Sequence, residues 1–182
     1  RQKFDGDIHD PAAILFTSGS TGISKGVVYQ HDQFHAQVQA LKSLYAIEPG
    51  EIDLPTFPLF GLFSPAMGMT TVIPEMDFTR PASANPEKIA GAIRHFQITN
   101  LFASPALLRR LSLLPGGLKF PSIKRVLSAG APVPATEIAN LAKRLNPGIQ
   151  VFTPYGATEA LPLASIGSDE ILVETTFKTA TG

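Results

Sequence analysis

From residue 85 onward the apolar pattern switches back and forth between two periods, and this alternation limits the fold more than any other feature of the chain. Asn85-Pro86-Glu87 carries a helix start signal: a capping side chain, a first-turn proline and an acid at the positive end of the helix dipole. Ile89, Ile93 and Phe96 follow as an apolar stripe. "TNLFA" (99–103) is a short apolar run and reads as a strand. Ser104-Pro105 opens a second helix with Leu107, Leu108, Leu111 and Leu114 facing inward. "IKRVLSA" (123–129) is a strand, 134–145 a helix carrying Ile138, Leu141 and Leu145, and "IQVFT" (149–153) a strand again. The order α-β-α-β-α-β with short connections predicts an α/β fold with a largely parallel sheet flanked by helices. Ligands of such sheets bind beyond the carboxyl ends of the strands. That rule points to "SAGAP" (128–132) and "TPYGATE" (153–159).

The first half reads differently. "AAILFT" (12–17) and "GVVYQ" (26–30) are strand-like, and 32–45 reads as a helix with Phe34, Val38, Leu41 and Tyr45 on one face and Asp32 as its N-cap. The region 56–74 is apolar, but Pro58, Gly61, Pro65, Gly68 and Pro74 interrupt it. It is expected to form a buried strand, turn and helix, because a membrane span needs ~20 regular apolar residues.

Charge narrows the partners. Fifteen basic residues balance fifteen acidic ones over 182 residues, so nothing draws the chain generally to nucleic acid or to an anionic membrane. Any anion must be caught locally. The absence of cysteine excludes disulfides and thiolate metal sites, and it fits a reducing compartment. The expected location is cytoplasmic. The start, "RQKFDGDIHDP", is polar and has no signal-peptide core. The end, "TTFKTATG", reaches no helix or cap, so the chain is expected to be a piece of a longer one.

One loop is built to catch an anion. "TSGSTGISKG" (17–26) lies between "AAILF" and "VVY". A Walker P-loop needs G-x-x-x-x-G-K-[ST] at the start of a helix. Here Gly26 follows Lys25, and Val27, Val28 and Tyr29 are strand formers, so both spacing and context fail. The physics survives the failed pattern. Glycines let backbone N–H groups approach an anion, Ser18, Ser20, Thr21 and Ser24 add hydroxyl donors, and Lys25 adds a mobile charge suited to phosphate. A plain hairpin turn needs only two residues, and this linker is longer. The expected guest is a polyphosphate.

The same loop resembles the phosphate loop of the adenylate-forming superfamily, [ST]-S-G-[ST]-[ST]-G-x-[PS]-K-G, throughout Thr17 to Gly26. Tyr155-Gly156-Ala157-Thr158-Glu159 resembles the family's Y-G-x-T-E, and Ala129-Gly130-Ala131-Pro132 resembles its GGAP loop with alanine for the first glycine. Two further stretches, 53–81 and 153–162, are similar to the olefin-pathway β-lactone synthetases within that superfamily. The resemblance implies that residues 1–182 are part of the large N-terminal adenylation domain, with a β-hairpin phosphate loop. The later ribose-binding aspartate, the hinge and the small C-terminal domain have no counterpart before Gly182, so this piece alone is expected to be nearly inactive.

Such enzymes join a carboxylate to the α-phosphate of ATP and release pyrophosphate. The resemblance implies that Lys25, with Ser20, Thr21 and Gly22, holds the departing phosphates within the loop that also includes Thr17, Ser18 and Gly19. It implies that Thr158 donates to the α-phosphate and that Glu159 binds Mg²⁺, a hard cation suited to carboxylate and phosphate oxygen. Tyr155 would lie on the adenine beside Gly156, and Gly130, Ala131 and Pro132 would border it. Lys25, Thr158 and Glu159 are the implied catalytic residues, and ATP and Mg²⁺ the implied cofactors.

In the lactone-forming branch the substrate is a long-chain β-hydroxy acid whose own hydroxyl expels AMP. The alternative product is a coenzyme A thioester, as in fatty acid–CoA ligases. Gly61 stands where many acyl-CoA synthetases carry histidine, which weighs against the plain ligase and is expected to widen the pocket near the carboxylate. Phe57, Phe60, Phe63, Met67, Met69 and Phe102 are candidates for the acyl pocket, with core packing as the bland alternative.

Two rivals remain. His31 and His35 have i, i+4 spacing suited to zinc, but Asp32 stands where the H-E-x-x-H pattern needs glutamate, and neither His9 nor His95 presents itself as a third ligand. A nucleotide-binding module without chemistry is the other, against which the intact Lys25, Thr158 and Glu159 argue.

Overall fold

The computed structural model describes residues 6–17, 25–57 and 60–175. Two strands, β1 (Pro11–Thr17) and β2 (Lys25–Gln30), pair antiparallel as a separate two-stranded sheet. One face of this ribbon leaves Ile14, Phe16 and Val28 exposed. β2 runs straight into α1 (His31–Leu44). The expected cap at Asp32 is therefore displaced by two residues. Gln30, still extended, is the N-cap, and its N–H donates to Gln33 Oε1 at 3.0 Å. Asp32 sits in the first turn and meets His9 Nδ1 at 3.2 Å.

After α1 come β3 (Ile52–Pro55), a 3₁₀ turn over Phe60–Leu62, α2 (Phe63–Ala66) and the two-residue β4 (Thr70–Thr71). This is the strand, turn and helix expected of the apolar region, begun four residues earlier. Then follow α3 (Pro86–His95), β5 (Asn100–Phe102), α4 (Pro105–Ser112), β6 (Arg125–Leu127) and α5 (Ala135–Ala142). Both expected caps are in place: Asn85 accepts from the N–H groups of Glu87 and Lys88, and Ser104 from that of Leu107. Phe96 departs from its expected stripe. The helix stops at His95, Gln97 turns the chain at φ 52°, and Phe96 is left exposed, edge-on to His95.

The strands assemble as β4-β3-β5-β6-β7-β8, where β7 is Val151–Ala157 and β8 is Ala160–Gly167. The first five are parallel. The expected loop after residue 153 is instead the second half of β7, which turns back at 158–159 into the antiparallel edge strand β8.

Register decides what each face carries. Leu54, Leu101, Val126 and Val151 form one row across four strands, each at most 1% exposed, packed under α3, α4 and α5. Each such side chain stabilises the fold by about 1.5–3 kcal/mol relative to exposure. The neighbouring rows point to the other face, since side chains alternate along a strand. One is polar, Asp53, Asn100 and Arg125, and one is apolar, Phe102, Leu127 and Phe152. Here α1, α2 and the residue after it supply the cover through Val38, Leu41, Phe63 and Met67.

The polar row is anchored by a buried ion pair. Arg125 donates to Glu51 from both terminal nitrogens, at 2.5 and 2.9 Å, and to the Ala46 carbonyl at 3.1 Å. The two residues are 5% and 3% exposed. Burial pushes the Glu51 carboxyl up, but the Arg125 hydrogen bonds and charge hold it below its ordinary value. Removing one partner leaves a bare buried charge, so Arg125→Leu should cost about 3–5 kcal/mol in urea unfolding of the full-length protein. Glu51→Leu/Arg125→Leu should recover most of that loss.

Candidate active site

Side chains of β2, of α1 and of Tyr45 just after it bind the β7–β8 hairpin, which carries the Tyr155–Glu159 motif. Tyr29, buried on β2, donates its hydroxyl to the carbonyl of Thr158 in the β7–β8 turn. Gln37 on α1 donates to the Leu161 carbonyl at 2.5 Å, and Tyr45 to Ser165 Oγ at 3.1 Å. Burial raises the Tyr29 hydroxyl pKa, the hydrogen bond with Gln37 lowers it, and the charge of Glu159 raises it further. Lys25 opens β2, in register with Thr17 at the end of β1. Tyr29 lies four residues further on, roughly 13 Å along an extended strand. Thus the strand that begins with Lys25 is the strand that touches the Thr158–Glu159 turn. Ser18, Gly19, Ser20, Thr21 and Gly22 lie outside the described residues.

The turn depends on its glycine. A Cβ on Gly156 would stand 2.6 Å from the Ala160 carbonyl oxygen and 2.8 Å from Leu161 Cδ1. The hairpin therefore closes at its present width only without a side chain there. Tyr155 lies on β7 with 72% of its surface exposed. Thr158 is half-buried and Glu159 exposed. The loop after β6 holds Gly130, Ala131 and Pro132, all exposed, with Gly130 at φ 96°, a backbone state that disfavours any side chain. Tyr155 and Gly156 thus lie in the carboxyl-terminal half of β7, Thr158 and Glu159 follow it, and the 130–132 loop follows the adjacent parallel strand β6.

Glu159 is a single exposed carboxylate, which suits a cation shared with phosphate oxygens rather than one caged by protein. Among the described residues there is no group of three or more His, Asp or Glu side chains that could hold a metal ion. His31 and His35 therefore gain no third ligand there.

Behind the turn, between the sheet and α1 and α2, is a small cavity of about 40 Å³. Phe60, Phe63, Met67, Met69 and Phe102 line it as expected, and Leu161 and Pro162 line it from β8. Phe60 stacks on Phe102 at 3.9 Å between centroids, and Phe34 on Phe63 at 4.6 Å. A water needs roughly 10–15 Å³ on this measure, so an extended acyl chain enters only if side chains move. Met67 and Met69 are the adaptable part of the wall.

Two residues of the apolar run lie outside this cavity. Phe57 is not in the wall: Thr56 binds the Phe102 carbonyl through its N–H and hydroxyl, the chain then turns outward, and Phe57 is left 47% exposed beside Phe60. Gly61 does not line this cavity either: a Cβ there would meet Pro55 at 3.3 Å and Thr71 at 3.6 Å, and neither of these is in the wall.

Three polar residues in the wall were not singled out from the sequence. Asp53, Ser64 and Asn100 are 2%, 1% and 3% exposed. Ser64 and the Asn100 amide both donate to the Asp53 carboxylate, the latter at 2.5 Å. Burial raises the Asp53 pKa to about 6 from an ordinary 3.8, against the lowering effect of those two hydrogen bonds and of the Arg125 charge. The available signal was an acid inside the short apolar run "IDLP" and an amide inside "NLF".

The profile of the AMP-binding enzyme family matches residues 2–181, and the chain belongs to that family. It is 53% identical over 165 residues to an olefin beta-lactone synthetase of Stenotrophomonas maltophilia (strain K279a), covering 91% of this chain and 30% of that protein. Its fold is similar to the N-terminal domain of FACL13 from Mycobacterium tuberculosis, with a TM-score of 0.76 at 23% identity, over 94% of this chain and 43% of that one. It is also similar to ATP-bound MatB from Rhodopseudomonas palustris, with a TM-score of 0.70 at 25% identity, over 91% of this chain and 33% of that one. The chain spans about 30% of the length of the olefin beta-lactone synthetases it matches.

Asp53 yields a pH prediction. Its folded carboxyl binds a proton more tightly than the unfolded chain does, so stability rises as pH falls from about 6 toward 3.8 and is lower above 6. The shift corresponds to about 3 kcal/mol at most. Unfolding of Asp53→Asn compared with the parent at pH 7 and pH 4.5 should show the variant relatively more stable at the higher pH. A difference independent of pH would contradict this. Gly156→Ala is expected to force the 158–159 turn outward and to cost about 1–3 kcal/mol of stability, measurable by the same unfolding.

Proposed function

We propose that the protein carrying this chain uses ATP to activate a long-chain 3-hydroxy carboxylic acid as its acyl-adenylate, releasing pyrophosphate, and then closes a β-lactone with loss of AMP. The observation that carries the reading is the 53% identity to an olefin beta-lactone synthetase over 91% of the chain. The ATP bound to the similar MatB supports the nucleotide. In this reading the 182 residues are part of the nucleotide-binding large domain.

Two anions must meet in the first step, so neutralising charge is the main demand on the protein. Lys25 and the hydroxyl and amide donors of the loop Thr17 to Gly22 hold the departing phosphates. Thr158 donates to the α-phosphate. Tyr155 offers an exposed ring face to the adenine, and Gly130, Ala131 and Pro132 border it. Glu159 would hold Mg²⁺, which would supply positive charge to offset that of the phosphates. The acid lies with its carboxylate toward the 158–159 turn and its chain in the cavity beside Phe60 and Phe102.

In the second step the substrate's hydroxyl oxygen attacks the acyl carbonyl carbon. The bond from that carbon to the phosphate oxygen breaks, AMP leaves with the electron pair, and the hydroxyl proton is released. The nucleophile is tethered, so orientation within the cavity supplies much of the rate.

The full-length protein with ATP and a long-chain 3-hydroxy acid should yield AMP and lactone without coenzyme A. A thioester formed only in the presence of coenzyme A would replace this reading by an acyl-CoA ligase. Lys25→Ala and Glu159→Gln should each lower ATP–pyrophosphate exchange by about 100-fold or more, the scale of losing one charge-stabilising contact.

A further inference from the structure

Apart from Tyr45, whose hydroxyl is bonded to Ser165, the polar side chains of the cavity wall are Asp53, Ser64 and Asn100. A tie between strands and helix explains part of this cluster. The Asn100 amide nitrogen binds Asp53 across adjacent strands, and the Ser64 hydroxyl binds the same carboxylate from α2. The tie leaves one atom unexplained. Asn100 Oδ1 is fully buried and accepts no hydrogen bond among the described residues. The orientation of the amide follows from chemistry: an ionised Asp53 carboxylate only accepts, so above its pKa of about 6 the nitrogen faces Asp53 and the oxygen faces elsewhere.

Such an acceptor discriminates between ligands. Methylenes packed against Oδ1 leave it without a partner, which is costly, whereas a hydroxyl supplies the missing donor. Sites that hydrogen-bond a substrate hydroxyl reject the analogue lacking it far more strongly than apolar pockets reject a missing methylene. The position also fits. Leu161 and Pro162, directly after the Thr158–Glu159 turn, line the same small cavity as Asn100 and Asp53. A hydroxyl close to a carboxylate held at that turn therefore lies near the cluster.

We infer that the Asp53–Ser64–Asn100 cluster recognises the substrate's hydroxyl, with Asn100 Oδ1 as the acceptor and Asp53 and Ser64 as the residues that position it. The inference rests on the proposed function and specifies how that site selects hydroxylated acids over plain ones. Arg125 does not compete for the cluster, since its guanidinium is engaged by Glu51 and the Ala46 carbonyl.

The test uses the full-length protein and reads kcat/KM for pyrophosphate release with a long-chain 3-hydroxy acid and with the acid of equal length lacking the hydroxyl. The parent should favour the hydroxy acid by about tenfold or more. Asp53→Leu/Asn100→Leu replaces the bonded polar pair by apolar groups of similar size, and it should bring the ratio to within about twofold. If that variant does not fold, Asn100→Leu alone is read in the same way. A purely structural role would lower both rates together and leave the ratio unchanged. No turnover with any acid overturns the proposed function, and the inference with it. Turnover without preference in the parent, or a preference that survives in the variants, overturns the inference alone.

Discussion

The alternation of side chains along three short parallel strands organises the rest of this molecule. β3, β5 and β6 are paired so that Leu54, Leu101 and Val126 share one row and Asp53, Asn100 and Arg125 the next. A slip of one residue would exchange the two faces. It would turn a carboxylate and a guanidinium toward α3 to α5 and expose the apolar row to the cavity side. Burial of the first row therefore fixes where the second must point. The Glu51–Arg125 pair then neutralises the charge that this arrangement places inside. The cavity wall, the polar cluster and the sheet register are consequences of a single pairing scheme.

The candidate site adds a second requirement, because its parts are far apart in the chain. The bonds from Tyr29, Gln37 and Tyr45 hold the β7–β8 hairpin against β2 and α1. β8 had no expectation attached to it, yet it is the element that makes the 153–159 segment a tight turn. It also contributes Leu161 and Pro162 to the cavity. The nucleotide side and the acyl side of the site thus share one hairpin.

Much of the second half was legible because its signals are local. Asn85 and Ser104 cap the helices they were expected to cap, and Ile89, Ile93, Leu107, Leu108 and Leu111 face the core. Errors arose where tertiary contacts outweigh local pattern. Asp32 is an acceptable cap, but the strand before it runs without a break into the helix. Phe57 and Gly61 belong to an apolar run whose faces are set by the outward turn at Thr56. The segment 153–159 was pointed to by the rule for parallel sheets, and the roles given to Tyr155, Thr158 and Glu159 come from resemblance alone. Asp53 and Asn100 were not found, because three- and four-residue strands are too short to display an alternating face, and only pairing with neighbours reveals which residues share one.

The β1–β2 ribbon has a practical consequence. It carries Ile14, Phe16 and Val28 on its surface at 56%, 73% and 50% exposure, and Gly26 opposite Phe16 adds no cover. Surfaces of this kind seek contact with whatever hydrophobic material is at hand. Produced by itself, this polypeptide would adhere to itself and to hydrophobic chromatography media, and handling it would call for a solubilising fusion partner or mild detergent.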